Sequence, residues 1–353
     1  RVKETAQVLL MTDIKKTKFP WIVSHPFTLS SFAVCPGDDG QPLIINLVED
    51  EKGMKKWRQE VAKQIEKAAT AGNLLSGKNC HTFHWRLGDI SYTRTGSGSP
   101  VLLIHELTPC SNSYEWHRIT EALSRKHTVY SLDLPGCGLS DKQNITYTNF
   151  YYVQLITDFI KSVIEAPAAV LATGLSASLA VTSCTYAPQL FRKLILVNPV
   201  SIHALGQIPT RKSKAAKLLL ETPLAGTLLY HLIVSRARVE KEFTERLFHN
   251  PFHVKSEYVD VYYESAHRGS SCGKYLFSSI IGNYIYFNIG HALKTIDNDI
   301  VILGGEFQEG IQETIEMYQS INPAIESTVI PDTRHLPQME APGEFLEQLS
   351  IYL

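Results

Sequence analysis

From residue 81 onward, short apolar segments of strand type alternate with helical segments, and this alternation limits the folds open to the chain. Helices are predicted over 114–124 and 150–165. Strands that lie between such helices and are apolar throughout are expected to be buried on both faces of a sheet. Four segments have this character: 101–105, 128–132, 168–173 and 193–198. The alternation therefore predicts an α/β fold with a mainly parallel central sheet covered by helices.

A hairpin with strands at 82–87 and 90–95 is predicted before these four segments, so the strand at 193–198 is the sixth. The alternation stops after this sixth strand and returns near the carboxyl end. Residues 200–295 contain helical patterns and many aromatic residues but no segment typical of a buried strand, whereas 299–304 and 325–330 again read as strands. A helical cap inserted between two sheet strands is expected to form one wall of a pocket. The predicted organisation is listed here in chain order: an amino-terminal extension over 1–80 with an amphipathic helix at 54–71, a first core part over 81–199, the cap over 200–295 and a second core part over 296–353.

A serine-containing turn joins the strand at 168–173 to the helix that follows it. Gly174-Leu175-Ser176-Ala177-Ser178 places a serine between small residues two positions to each side. Such a pattern is typical of a nucleophile elbow, a sharp turn that exposes a reactive side chain at its tip. Small flanking residues are needed there because the turn brings backbone close to backbone. The pattern predicts that Ser176 lies at the tip, whereas Ser178 has no predicted chemistry.

Three further motifs occur in the same order as in a known family. They are Asp133-Leu134-Pro135-Gly136-Cys137-Gly138-Leu139-Ser140 after a strand, His105-Glu106-Leu107 at the end of another, and His335-Leu336-Pro337-Gln338-Met339-Glu340-Ala341-Pro342 before the last helix. With the turn, they resemble the α/β-hydrolase superfamily, in its serine hydrolase branch with a helical cap, over about 81–353. The order of the four motifs is specific for the fold and less specific for the reaction.

The resemblance implies a role for each of several residues. Ser176 corresponds to the nucleophile and His335 to the base that takes its proton. The backbone N–H groups of Leu107 and Ala177 correspond to the oxyanion hole. A serine nucleophile argues against the dehalogenase and epoxide hydrolase branches, which attack through a carboxylate. Glu106 stands where the family usually has glycine, and we expect its side chain to point away from the site.

For the acid that would orient His335, the chain has no carboxylate at the positions where the family usually carries one. The family's usual acid position holds Gln308, and the alternative position after the sixth strand holds Asn198, so both are amides. Glu309, one residue further along, is the preferred candidate, and Glu306 is an alternative. We expect the Glu309 carboxylate to lie within hydrogen-bond distance of a His335 ring nitrogen.

Charge, hydropathy and cysteine spacing limit the classes of partner and cofactor that we expect for this chain. The chain has 353 residues and a net charge of −1, which gives no electrostatic reason to expect nucleic acid. No apolar run is long enough to span a bilayer. Six cysteines without C-x-x-C spacing suggest reduced thiols, typical of the cytoplasm, and no metal or organic cofactor is expected. The sequence starts at Arg1, so an upstream targeting segment is left open, as are the localisation and the oligomeric state.

These observations predict a serine hydrolase that cleaves an ester or related acyl bond of an apolar small molecule through an acyl-enzyme. Two alternatives remain open. One is a non-catalytic protein that binds a small ligand on the same scaffold, which the two amides and Glu106 favour. The other is a lyase or carbon–carbon hydrolase that uses the same triad.

Overall fold

The computed structural model describes residues 21–24, 31–36, 42–46, 63–75, 79–223, 225–269 and 271–353. The chain divides into two compact units, 1–68 and 69–353. In the first unit, three antiparallel strands follow one another in a sheet: β1 (Trp21–Ser24), β2 (Ser31–Pro36) and β3 (Pro42–Asn46). A helix, α1, covers 63–69, and the rest of the helix predicted at 54–71 lies mostly outside the described residues.

The second unit is built on an eight-stranded sheet that confirms the predicted fold class. Its strands are β4 (Cys80–Trp85), β5 (Gly88–Thr95), β6 (Ser99–Ile104), β7 (His127–Leu132), β8 (Ala168–Thr173), β9 (Phe191–Val197), β10 (Asp299–Gly305) and β11 (Glu326–Ile330). Their spatial order is β11-β10-β9-β8-β6-β7-β5-β4. The β4–β5 and β5–β7 pairs are antiparallel, and the other pairs are parallel.

Helices cover both faces of this sheet. Those of the core are α2 (His117–Ser124), α3 (Asn149–Phe159), α4 (Leu175–Tyr186), α12 (Ile311–Ile321), α13 (Pro337–Glu340) and α14 (Pro342–Tyr352). Every residue of β8 is buried, because the strand has neighbours on both edges and helices on both faces. The strands that are apolar throughout thus form the centre of the core.

The segment after β9 forms the predicted helical cap. Its helices are α5 (Ile202–Leu205), α6 (Arg211–Glu221), α7 (Ala225–Ile233), α8 (Arg236–Glu242), α9 (Ser256–His267), α10 (Gly273–Ile281) and α11 (Gly290–Thr295). The cap has an aromatic core of its own, in which Phe243 packs edge-on against Tyr262. Among the described residues, no helix is both long and apolar enough to cross a membrane.

Candidate active site

The vertex of the turn after β8 is Gly174, not Ser176. Gly174 has φ 55° and ψ −120°, a backbone conformation that glycine adopts with little strain. Its N–H donates to the Val197 carbonyl oxygen over 2.9 Å, which holds the turn against β9. The chain leaves β8 at Thr173, so the vertex follows the strand directly. The small residues that flank this vertex are Ala172 and Ser176, two positions to each side.

Ser176 lies in the first turn of α4 and is completely buried. Its hydroxyl donates to the His105 carbonyl oxygen over 2.6 Å. This bond ties α4 to the end of β6 and directs the hydroxyl away from the cavity described below. The structure therefore does not bring Ser176 to the position that the sequence pattern predicts for it, and a catalytic role for Ser176 stays a prediction.

The side chain of Glu106 occupies the space in front of the vertex, and the expectation that it points away is wrong. A Cβ atom added at Gly174 would collide with Glu106 Oε2. The same Oε2 lies 2.9 Å from His335 Nε2. Both side chains are nearly buried, with 12% of Glu106 and 18% of His335 exposed. The Glu106 carboxylate thus occupies the space that the side chain of any residue other than glycine would fill at the vertex.

Two backbone N–H groups converge on the other oxygen of this carboxylate. Leu107 N–H donates to Glu106 Oε1 over 2.7 Å, and Leu175 N–H donates to the same oxygen over 3.0 Å. Two converging donors are the arrangement that stabilises an oxyanion. Leu107 is therefore placed as predicted, whereas Ala177 is not. The Ala177 N–H donates to the Gly174 carbonyl oxygen instead, because the vertex lies two residues earlier than predicted.

The ring of His335 bridges Glu106 and an amide. His335 Nδ1 lies 3.2 Å from Gln308 Oε1. Gln308, not Glu309, thus faces the nitrogen where an acid was predicted, and Glu309 is exposed at the rim of the cavity. Burial lowers the pKa of His335, but the hydrogen bond and the negative charge of Glu106 outweigh burial, so that the net shift is upward.

Asn198 and Glu306, the two other candidate positions, form hydrogen bonds with backbone groups of the loops around His335. Asn198 donates from Nδ2 to the carbonyl oxygens of Arg334 and His335 over 2.8 and 2.9 Å, and its Oδ1 accepts from Gly305 N–H over 2.9 Å. Asn198 therefore fixes the backbone that carries His335 rather than its ring. Glu306 accepts from Asp332 N–H over 3.1 Å and is exposed.

A second carboxylate, which no sequence pattern indicated, lies beneath the first. Glu115 is completely buried, and its Oε2 accepts from Glu106 N–H over 3.0 Å while Oε1 accepts from Gln338 Nε2 over 2.8 Å. Burial raises the pKa of Glu115 to about 7. Its sequence position, in the short turn before α2, carries no signal of burial, because the contacts come from distant segments.

His105 positions the loop that carries Glu106. Its Nδ1 lies 2.6 Å from the Glu106 carbonyl oxygen, and Nε2 accepts from Leu134 N–H over 3.0 Å. The ring is completely buried, which lowers its pKa, so a neutral ring donates from Nδ1 and accepts at Nε2. His105 thus orients the loop that carries Glu106 and Leu107.

A cavity of about 1190 Å³ opens above these groups, between the sheet and the cap. Its floor includes Glu106, Leu107 and His335, and its cap wall includes Tyr262 and Tyr286. Burial raises the pKa of both phenols, so both keep their protons. The Tyr262 hydroxyl donates to Met339 Sδ over 3.9 Å. In the part of the chain that the structure describes, no three metal-ligating side chains are grouped to hold an ion. The cavity thus brings together the Glu106 carboxylate, the His335 imidazole and two phenols.

Comparison with known proteins supports the family resemblance. A model of the "Alpha/beta hydrolase family" matches residues 101–348. Proline iminopeptidase from Heyndrickxia coagulans is 23% identical over 275 residues, which cover 74% of this chain and 93% of that protein.

Solved structures share the fold at low sequence identity. An esterase from Thermogutta terrifontis superposes with a TM-score of 0.62 and 17% identity, and covers 77% of this chain and 97% of its own. An epoxide hydrolase, CorEH, gives a TM-score of 0.62 and 17% identity, with 77% and 96% covered. These two neighbours are named for different reactions, so the likeness extends to the fold alone.

Proposed function

The chain belongs to the alpha/beta hydrolase family, and from that premise we propose that it hydrolyses a small molecule through the Glu106 carboxylate and the His335 imidazole. The single observation that carries this proposal is the placement of Glu106. One of its oxygens lies between two backbone N–H groups and the other faces an imidazole nitrogen and the cavity. A carboxylate held in this way is a nucleophile whose Oε2 lies at the cavity floor beside the His335 imidazole.

The first step forms an ester on the enzyme. Glu106 Oε2 attacks an electrophilic sp³ carbon, such as an epoxide carbon, and the carbon–oxygen bond of the ring breaks. The ring oxygen keeps the electron pair and takes a proton from the cap wall, where Tyr262 and Tyr286 line the cavity with protonated phenols. Because Oε1 already occupies the oxyanion hole, an acyl substrate has no place there for its own carbonyl oxygen. This favours attack on an alkyl carbon over attack on an ester.

The second step releases the product. Esterification removes the negative charge of Glu106, so burial then dominates and the pKa of His335 falls. The neutral ring takes a proton from water, and the hydroxide attacks Glu106 Cδ. Negative charge develops on Oε1, which the Leu107 and Leu175 N–H groups stabilise. The alkoxide leaves and takes a proton from His335, which releases the diol and leaves Glu106 as a carboxylic acid. This acid then gives its proton to the tyrosine phenolate. The overall reaction is epoxide plus water giving a diol.

Activity assays on matched variants test this function. The assays use a panel of terminal epoxides and alkyl halides, with p-nitrophenyl esters beside them. We expect Glu106→Gln and His335→Ala each to lower turnover by about 10³-fold or more, because each removes a reacting group. Ser176→Ala is the control and should stay within about threefold of the wild type. Turnover of esters that depends on Ser176 and not on Glu106 would contradict the proposal.

The same panel tests the functions predicted from the sequence. A serine acyl-enzyme, whether in an esterase or in a carbon–carbon hydrolase, requires the Ser176 hydroxyl to leave the His105 carbonyl oxygen and reach His335. A fluorophosphonate should then label the wild type and not Ser176→Ala. On the present proposal, neither protein is labelled.

A second candidate is a non-catalytic protein that binds a small ligand. It is favoured by one observation, the amide of Gln308 at His335 Nδ1, because an amide carries no charge to stabilise an imidazolium. On this candidate, compounds from the panel would raise the melting temperature of the wild type, yet none would be turned over.

A further inference from the structure

Two consecutive cap helices expose large apolar side chains that nothing in the described chain covers. Four leucines of α6 and α7 are each more than half exposed: Leu218 (69%), Leu219 (52%), Leu228 (56%) and Leu232 (60%). We call this set the cap leucine face. The inward sides of the same helices are occupied by Leu220 and Tyr230, which are buried. A set of exposed leucines on two joined helices indicates an interaction surface, which a single exposed leucine does not.

The two helices lie close together at their junction. Gly226 N–H donates to Thr222 Oγ1 over 2.8 Å, and a Cβ added at Gly226 would collide with the Leu220 carbonyl oxygen. Within α7, Leu228 and Leu232 are four residues apart and so share one side of the helix. The cap leucine face is therefore presented by a tightly joined helix pair.

Positive charge accompanies these leucines. Between residues 208 and 233 the basic residues are Arg211, Lys212, Lys214 and Lys217, and the acidic residue is Glu221. Lys217 pairs with Glu221, while Arg211, Lys212 and Lys214 are exposed at the start of α6. The segment thus has a net charge of 4 − 1 = +3 in a chain whose total is −1.

The cavity wall begins one residue after Leu232 of the cap leucine face. Ile233, the last residue of α7, is 36% exposed and also lines the cavity, and Val234 follows it in the wall. Phe277 and Ile280 of α10, which packs against α6, line the same cavity. The helices that carry the cap leucine face thus also contribute to, or pack against, the apolar part of the cavity wall.

We propose that the cap leucine face docks on an anionic lipid surface. Leucines beside basic residues on amphipathic helices are the combination that holds a protein in the headgroup region. A second copy of the chain fits this face less well, because a symmetric contact would bring the same cationic segments together. The helices would lie on the surface and not cross it.

Vesicle co-sedimentation tests this proposal with the whole protein. The vesicles are phosphatidylcholine alone and phosphatidylcholine with phosphatidylglycerol. We expect the partition coefficient to be about ten- to a hundredfold higher on the anionic vesicles. Leu228→Ser/Leu232→Ser should abolish sedimentation on both, and Arg211→Gln/Lys212→Gln/Lys214→Gln should remove the preference for the anionic lipid.

The matched control is Phe252→Ser, which removes an apolar side chain that is 93% exposed outside α6 and α7 and should leave binding unchanged. Circular dichroism melting checks that each variant is folded. Absence of sedimentation with either vesicle would overturn the proposal, as would wild-type binding by the leucine variant. A dimer in light scattering that Leu228→Ser/Leu232→Ser dissociates would assign the face to a second copy instead.

Discussion

At the scale of single residues, the charge of Glu106 and the burial of His335 shift the pKa of the His335 imidazole in opposite directions. Burial favours the neutral ring, while the carboxylate at 2.9 Å favours the charged ring, and the carboxylate prevails. The pair therefore stabilises the folded protein fully below the ordinary pKa of histidine. This stabilisation is lost as the pH rises through the raised pKa of the folded state.

Replacing the carboxylate should reverse the direction of this shift. In Glu106→Gln, burial remains and only the smaller effect of the Glu115 charge opposes it, so we expect His335 to titrate below the ordinary histidine pKa instead of above it. NMR titration of the ring checks this, with His335→Ala to assign the signal. An unchanged titration in Glu106→Gln would show that another group controls the imidazole.

The same residues show why the sequence pattern misplaced the vertex of the turn. Ala172-Thr173-Gly174-Leu175-Ser176 and Gly174-Leu175-Ser176-Ala177-Ser178 both have small residues two positions from their centre. The sequence favoured the second pattern because its centre is a serine. The structure follows the first, since β8 ends at Thr173 and the vertex is Gly174. His335 was found because its motif precedes the last helix. The direction of Glu106 depends on contacts with distant segments, which no local pattern contains.

At the scale of elements, the strand–turn–helix unit of β8 and α4 keeps the geometry of a nucleophile elbow without a side chain at its vertex. We expect Gly174→Ser alone to be poorly folded, because its Cβ collides with Glu106. Glu106→Gly/Gly174→Ser should fold, because the space and the two N–H donors become free together. A fluorophosphonate should label this double variant once, at the hydroxyl introduced at the vertex, as measured by intact-protein mass and peptide mapping.

The matched control is Glu106→Gly alone, which frees the oxyanion hole and leaves Ser176 as the nearby serine. It should not be labelled. Labelling of this single variant at Ser176 would show that Ser176 reaches the reaction centre, against its bond to the His105 carbonyl oxygen.

At the scale of the whole molecule, the sequence predicted the sheet and the cap well because both follow from local patterns. Strands such as β8 are buried on both faces, and the helices of 200–295 lack strand-type runs. The predicted division into an extension, two core parts and a cap stays a prediction as a statement about independent domains. The centre of the cavity was harder to predict, since it joins the ends of β6, β8 and β9 with the loop of His335.

The central claim is that Glu106, not Ser176, is the group that bonds to substrate. Its most direct test is to trap the ester in His335→Ala, in which water is no longer activated for the second step. After incubation with a terminal aryl glycidyl ether, peptide mapping by mass spectrometry should find the added mass of one epoxide on Glu106. Wild type should carry little of it, because it hydrolyses the ester, and His335→Ala/Glu106→Gln should carry none at this site. An adduct on Ser176, or equal modification after Glu106 is replaced, would contradict the account.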